Sequence, residues 1–229
     1  MHLFHRRCSW LLVGLALLAG CRSVSWPDYW PFPAYENTTF HTPSMRVEAI
    51  QQFAAKSKGV DSPAQREITD QLARQIQVEP DPLVRRAVVQ TIAEFQTPIV
   101  PQVLAAGMKD QNTAVRIACC QALGKRGEAS AVPSLAAALR DDQSIDVRLA
   151  AAEALGGVKS PDAIQALTVA LDDRDPALQY AGVESMKLIT GKDYGGNVEA
   201  WRQVAAGQIP PPLPKPTVAE RMRRMSPFK

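Results

Sequence analysis

The sequence predicts an all-α fold, an α-solenoid of about five antiparallel helix pairs. A Val-Arg dipeptide begins at residues 84, 115 and 147, and Leu-Gln takes its place at residue 178. The intervals between them are 31, 32 and 31 residues. The seventh residue after each Arg or Gln is large and apolar: Ile92, Leu123, Leu155 and Met186. A fixed period of this length is typical of stacked repeats. Apolar residues follow helical spacing and no stretch alternates apolar with polar residues, so no strand is predicted.

The first twenty residues have the features of a signal peptide. Arg6-Arg7 supply a positive start, and the apolar core from 11 to 19 is too short to span a bilayer. The core closes on Leu18-Ala19-Gly20-Cys21, which resembles the lipobox of bacterial lipoproteins. In that family the Cys starts the mature chain and carries a diacylglyceryl thioether. The resemblance implies a lipid anchor, with acyl chains such as palmitate, at Cys21. The alternative is an ordinary secretory peptide with a chance Cys.

The resemblance also implies a location in the bacterial cell envelope. Arg22 follows the Cys with no Asp there, which resembles sorting to the outer rather than the inner membrane. Residues 21–42 are predicted to be a tether in which three prolines alternate with six aromatic residues. Prolines at this density exclude helix and sheet interiors. Two interpretations of the aromatic residues stay open: they pack on the end of the stack, or they lie at the membrane interface.

A repeated start signal divides residues 43–209 into helix pairs. A residue that caps helix N-termini precedes Pro at Thr42, Ser62, Asp81, Thr97, Ser160 and Asp175. The predicted pairs are 43–57 with 63–77, 82–95 with 98–107, 113–124 with 131–140, 144–156 with 161–171, and 176–190 with 197–206. Gly124, Gly156 and Gly157 fall near predicted helix ends, which favours left-handed caps there.

The two best-matched blocks, residues 110–124 and 142–156, resemble HEAT-type repeats. Both carry an Asp at the start, Val-Arg at the sixth and seventh positions and Ala-Leu-Gly at the end. More narrowly, they resemble the short HEAT-like repeats named after the phycobilisome lyases. The resemblance implies a right-handed superhelix of helix pairs. The end units depart from the pattern, with Met45-Arg46 in the first and Gln179 in the last, as expected where an outer face meets water.

The recurring arginines are interpreted as structural. Arg85, Arg116 and Arg148 occupy one repeat position near acidic residues that open each repeat, namely Asp81, Asp110, Asp142 and Asp146. An Arg fork pairs with a carboxylate through two hydrogen bonds, so these side chains are predicted to tie one repeat to the next. The dipeptides Asp141-Asp142 and Asp172-Asp173 are predicted to be turns with solvated charge. A functional basic stripe is the alternative.

Composition argues against catalysis and nucleic-acid binding. The net charge of +3 gives no electrostatic support for nucleic acid, and the only His after the leader is His41, which excludes most His-dependent nucleophilic sites. The paired His-Glu motifs of HEAT-like iron hydroxylases are missing from the sequence. Cys119 and Cys120 are predicted to be buried small apolar residues. We therefore expect no cofactor, no metal and no enzymatic activity.

The last twenty residues, 210–229, combine a Pro-rich spacer with a basic amphipathic tail. Val218, Met222 and Met225 form one apolar stripe at helical spacing, with Arg221 and Arg224 beside it. Such a helix binds a partner's groove or an anionic lipid surface. The alternative is a solvated end, because nine residues are too few to be helical alone.

Together these features predict a membrane-anchored lipoprotein that acts as a protein–protein interaction scaffold, using a groove of the repeats. Two alternatives stay open. One is a lyase-like enzyme or enzyme accessory that handles a bound small molecule. The other is a structural protein associated with the cell wall. The sequence does not identify the protein partner.

Overall fold

A computed structural model describes residues 42–55 and 62–211, and this part of the chain consists of helices without strands. The predicted all-α solenoid is thereby confirmed. The predictions for the leader, Cys21, the tether and the basic tail lie outside the described residues. The helices are α1 Pro43–Ala55, α2 Pro63–Val78, α3 Pro82–Ala93, α4 Val100–Gly107, α5 Thr113–Arg126, α6 Val132–Asp141, α7 Ile145–Gly157, α8 Pro161–Leu171, α9 Pro176–Thr190 and α10 Val198–Ala205.

Most of the predicted helix starts are real N-caps. Ser62, Asp81, Ser160 and Asp175 each accept a hydrogen bond from a backbone N–H in the first turn of the helix they precede. Thr97 does not cap α4, because that helix begins at Val100 and has its proline one residue later, at Pro101. The Thr97 hydroxyl is instead buried and lies 3.2 Å from the hydroxyl of Thr69, which removes it from the capping position.

The helices form two layers. The odd-numbered helices, which we call the first helices, pack on one another along the stack in the order α1, α3, α5, α7 and α9. The even-numbered second helices pack against them from one side. The core between the layers is built from fully buried leucines, with Leu104, Leu123, Leu135, Leu155 and Leu167 at or near zero exposure. Each pair contributes only a few such residues, so the apolar face of one pair is buried by its neighbours.

Gly124, Gly156 and Gly157 do not adopt the predicted left-handed caps. They lie within α5 and α7, and the glycines with positive φ at helix C-caps are Gly127 and Gly191 instead. Their actual role is close helix packing. A Cβ on Gly124 would lie 2.6 Å from Cα of Ala154, and one on Gly156 would lie 2.9 Å from Cβ of Ser185. The glycines therefore allow consecutive first helices to approach at backbone distance.

Gly124 and Gly156 belong to a series that the repeat defines. The eighth residue after each recurring Arg or Gln is Ala54, Ala93, Gly124, Gly156 and Lys187. It is small in the first four repeats and a lysine in the last. Lys187 Nζ lies 2.8 Å from Glu184 and 3.4 Å from Asp193, which belongs to the longer loop after α9.

That loop and α10 complete the last repeat. Trp201 is fully buried, and its indole N–H donates a hydrogen bond of 3.0 Å to the carbonyl of Gly195. The ring of Tyr194 meets it edge to face, with centroids 5.3 Å apart. Among the helices described, none has the length and apolar character needed to cross a bilayer.

Candidate functional site

Bidentate ion pairs join the middle repeats. Arg85 contacts both carboxylate oxygens of Asp110, at 2.7 and 2.8 Å, and Arg116 contacts both of Asp142, at 2.8 and 2.9 Å. The third pair, Arg148 with Asp173, is joined by a hydrogen bond of 2.8 Å. Each arginine comes from a first helix, and each acid comes from the loop that opens the next repeat. We call this row of pairs the ladder.

The ladder includes one more pair, which sequence reasoning missed. Arg46 in α1 pairs with Glu79 at 3.0 Å, and the Glu79 side chain has no exposed surface. In the last repeat Gln179 takes the place of the arginine, and its amide donates a hydrogen bond of 2.7 Å within its own repeat, to the carbonyl of Asp173. A spacing could have revealed Glu79 and Asp173, because each ladder acid stands six residues before the Arg or Gln of its own repeat.

Two acids that were predicted near the arginines have other roles. Asp81 caps α3 by accepting a hydrogen bond from the Leu83 N–H. Asp146 lies in the first turn of α7 and is exposed. Each stands a few residues after the ladder acid of its own repeat, Asp81 after Glu79 and Asp146 after Asp142. The true ladder acids also accept a backbone N–H two residues on, as Asp110 does from Asn112 and Asp142 from Ser144. That second hydrogen bond orients the carboxylate toward the preceding repeat.

The arginine forks also hold their own repeat. Nη1 of Arg116 donates to the carbonyls of Asp110 and Gln111, at 2.9 and 3.2 Å. Arg85 makes the same pair of contacts with Glu79 and Pro80, at 3.1 and 2.9 Å. One guanidinium therefore fixes the end of a second helix, the start of a first helix and the next loop.

The predicted solvated Asp-Asp turns are only half correct. Asp141 and Asp172 are exposed, and each pairs with an exposed arginine, Arg140 and Arg202 respectively. Asp142 and Asp173 point inward to the ladder and have side-chain exposures of 10% and 19%. Adjacent residues in a turn project differently, so the two carboxylates of each dipeptide have separate roles.

Hydrogen bonding keeps the ladder aspartates ionised. Partial burial alone would raise the pKa of Asp110, but the hydrogen bonds from Arg85 and from the Asn112 N–H outweigh burial and lower the pKa below 3.8. The pKa of Asp142 is lowered in the same way, against the effect of burial, by Arg116 and the Ser144 N–H. Asp110 and Asp142 are therefore ionised at neutral pH.

Acid should weaken the stack through this ladder. The pKa of each ladder aspartate is lower when folded than when unfolded, so the unfolded chain binds more protons as the pH falls. We expect the free energy of unfolding to be nearly constant around neutral pH and to decrease from about pH 5 downward. Urea unfolding followed by circular dichroism measures this. Asp142→Asn, which has no carboxyl to titrate, should show a shallower decrease, and an equal slope would contradict the assignment.

Two adjoining grooves lie beside the ladder, between consecutive second helices. The first, of about 540 Å³, separates α2 from α4, and Arg85 and Asp110 are among its lining residues. The second, of about 430 Å³, separates α4 from α6 and reaches Asp142. Small side chains line much of the second groove, with Ala105, Ser134, Ala137 and Ala138. The first groove has Ala106 and Gly107 among mostly larger and polar residues. Exposed Lys109 borders both grooves.

The two thiols of the described region are buried in the core. Cys119 and Cys120 have no exposed surface and form no disulfide. Burial raises the pKa of both thiols, that of Cys120 to about 12. They are therefore protonated at neutral pH and are poor nucleophiles. Within residues 42–55 and 62–211, no group of three His, Cys, Asp or Glu side chains is arranged to hold a metal ion.

Comparison with known proteins identifies the repeats. The profile of HEAT repeats matches residues 69–156 and 132–194. Human deoxyhypusine hydroxylase, solved in complex with glycerol, superposes with a TM-score of 0.52 at 19% identity, over 66% of this chain and 65% of the hydroxylase. The complex of CpcE and CpcF of phycocyanin lyase from Nostoc sp. gives 0.48 at 19% identity, over 72% and 71%. No curated protein matches the sequence. At this identity the hydroxylase match shows a shared fold and spans less than two thirds of that enzyme.

Proposed function

The chain belongs to the HEAT-repeat family, and from this premise we propose that it is a lipid-anchored scaffold that binds protein partners in the grooves between its second helices. The observation that carries the proposal is the pair of adjoining grooves beside the ladder. Stacked repeats present extended surfaces of this kind to their partners. The bidentate pairs of the ladder stabilise the spacing of the repeats and therefore the width of each groove.

The lining of the grooves indicates what kind of partner fits. Alanine and glycine leave room above the helices for large apolar side chains, and Met108 and Pro133 add apolar surface to the second groove. Lys109 supplies a positive charge between the two grooves. We therefore propose that the occupant is a polypeptide segment with large apolar side chains and a carboxylate placed to pair with Lys109.

A photo-crosslinking amino acid tests the groove directly. Placed at Ala137, which is exposed in the second groove, it should crosslink a polypeptide in the bacterial envelope. Placed at Gln121, which is exposed on α5 and does not line either groove, it should not. The additional change Ala106→Arg should reduce crosslinking from Ala137 by obstructing the neighbouring groove. Equal labelling from both positions would contradict binding in the grooves.

The competing hypothesis is a lyase-like enzyme or enzyme accessory. The titratable side chains that line the grooves are Glu79, Arg85, Lys109, Asp110, Asp141 and Asp142, and four of the six belong to the ladder. The four ladder residues are already engaged in structural ion pairs, which makes them poorly suited to exchange protons with a substrate. Purified mature protein that retained a chromophore or turned over a small molecule would overturn the scaffold proposal.

The anchor half of the proposal depends on Cys21. We propose that the leader is cleaved before this residue and that the mature chain, with acyl chains such as palmitate on Cys21, is held in the bacterial envelope, with the outer membrane favoured. Two or more acyl chains anchor a protein stably. Intact-mass spectrometry of protein from its own cell should show loss of residues 1–20 and a lipid-sized increment. A retained leader or a free Cys21 thiol would disprove the anchor without affecting the groove.

A further inference from the structure

The outer face of the last two first helices carries apolar side chains that the core does not use. Tyr180 and Leu188 of α9 are 67% and 68% exposed, and Glu184 stands midway between them. The spacing of four residues puts all three on one side of the helix. Leu149 and Glu153 of α7 occupy the equivalent positions 31 residues earlier. We call these five residues the outer patch.

The charge of the outer patch is negative and changes along the stack. Glu153 and Glu184 occupy a position that is glutamine in the preceding repeats, Gln90 and Gln121. Exposed Asp146 stands three residues before Leu149 and extends the acidic border. Lys187 pairs with Glu184 and with Asp193, so it offsets part of this negative charge. The surface therefore combines apolar side chains with an acidic rim, in the last two repeats.

A complementary ligand is an amphipathic helix whose apolar stripe is flanked by basic residues. The C-terminal tail of this chain has that pattern, with Val218, Met222 and Met225 on one stripe and Arg221 and Arg224 beside it. Residues 215–229 carry five basic residues and one acid. We propose that residues 217–225 dock as a short helix on the outer patch of the same chain.

The chain that follows α10 has the length to reach past α9. Arg202 of α10 pairs with Asp172 at 2.9 Å, which places the C-terminal half of α10 beside the loop where α9 begins. The chain leaves α10 at Ala205 and is described as far as residue 211. Residues 210–216 include five prolines, and an extended Pro-rich segment spans about 3.1 Å per residue. About 20 Å of such chain exceeds the diameter of a helix, about 10–12 Å with side chains.

Because the tail is covalently linked to the repeats, a weak contact with the outer patch is enough to keep it docked. A nine-residue helix is marginal in isolation because nucleation is costly. A short linker gives the docking segment an effective concentration in the millimolar range, so a patch of modest affinity is occupied most of the time. Docking also covers the Tyr180 ring and the Leu188 side chain, which are otherwise two-thirds in water.

Hydrogen exchange of the full mature chain, read by mass spectrometry, tests the proposal. We expect the amides of residues 218–225 to exchange at least about tenfold more slowly in the wild type than in the double variant Glu153→Lys/Glu184→Lys. The control Gln90→Lys/Gln121→Lys introduces the same two lysines at equivalent positions two repeats away and should behave as the wild type. Adding Arg221→Glu/Arg224→Glu to the first variant should restore protection.

The other outcomes overturn the proposal. Tail amides that exchange in the wild type at the rate of an unstructured peptide would show that nothing is docked. Protection unchanged by Glu153→Lys/Glu184→Lys would place the tail elsewhere. Protection that grows with protein concentration would mean that the tail binds a second copy, and protection that appears only with anionic vesicles would mean that it binds lipid. Each result leaves the groove proposal untouched, because the outer patch and the grooves lie on different helices.

Discussion

Replacing Asp142 by Ala should lower the free energy of unfolding by about 2–3 kcal/mol, whereas the same change at Asp141 should alter it by less than about 0.5 kcal/mol. Asp142 accepts both hydrogen bonds from Arg116 and one from the Ser144 N–H, with 10% of its side chain exposed. Its loss leaves a partly buried guanidinium short of two partners. Asp141 pairs with Arg140 in solvent, at exposures of 62% and 60%, where ion pairs contribute little.

Urea unfolding of Asp141→Ala and Asp142→Ala measures this difference in the free energy of unfolding. The comparison is matched because both changes remove one carboxylate from adjacent residues. Asp142→Asn should recover part of the loss, because its amide oxygen still accepts one hydrogen bond. If Asp141→Ala and Asp142→Ala proved equally stable, the ladder would not tie the repeats together.

Replacing Gly124 by Val should destabilise the chain by about 3 kcal/mol. The first added carbon alone would lie 2.6 Å from Cα and 2.8 Å from Cβ of Ala154, so it meets backbone and a methyl group that cannot rotate away. The two first helices must separate, which disturbs the packing of the leucines between the layers. The better helix propensity of a residue other than glycine, worth less than about 1 kcal/mol, does not offset this cost.

Gly196→Val is the matched control for Gly124→Val. Gly196 lies in the turn before α10, where a Cβ would meet nothing within 4 Å and no positive φ demands glycine. Thermal and urea unfolding should therefore show a small change at Gly196 and a large one at Gly124. Similar losses at both sites would mean that close approach of α5 and α7 does not limit the stability of the stack.

Local signals in the sequence were sufficient for the helices and for most of their starts. The period of 31 residues and the Pro-containing N-caps depend on residues near one another in the chain, and the structure has ten helices close to the predicted bounds in the residues it describes. Thr97 misled the prediction because its hydroxyl contacts Thr69, which is 28 residues away in sequence. The role of Gly124 was likewise decided by a helix of the next repeat.

The binding surfaces were harder to predict than the ladder. The arginines were singled out by their period, but the pairing of Arg46 with Glu79 was not, because α2 is longer than the other second helices and shifts the spacing to 33 residues. The grooves had no sequence signal at all. They arise from the separation of consecutive second helices, which depends on packing in both layers. The outer patch is visible only after the exposed side of α9 is known.

Lys187 bears on how many units can be joined end to end. If the last face of each repeat fits the first face of the next, repeats can be added without limit. Separate molecules that joined end to end in the same way would form open fibres. A further helix arriving at Lys187 would strip water from an ammonium group that already has partners in Glu184 and Asp193. Lys187 therefore disfavours end-to-end association at the last repeat. A stack lengthened by duplicating repeats would also need glycine or alanine at this position, as in the earlier repeats.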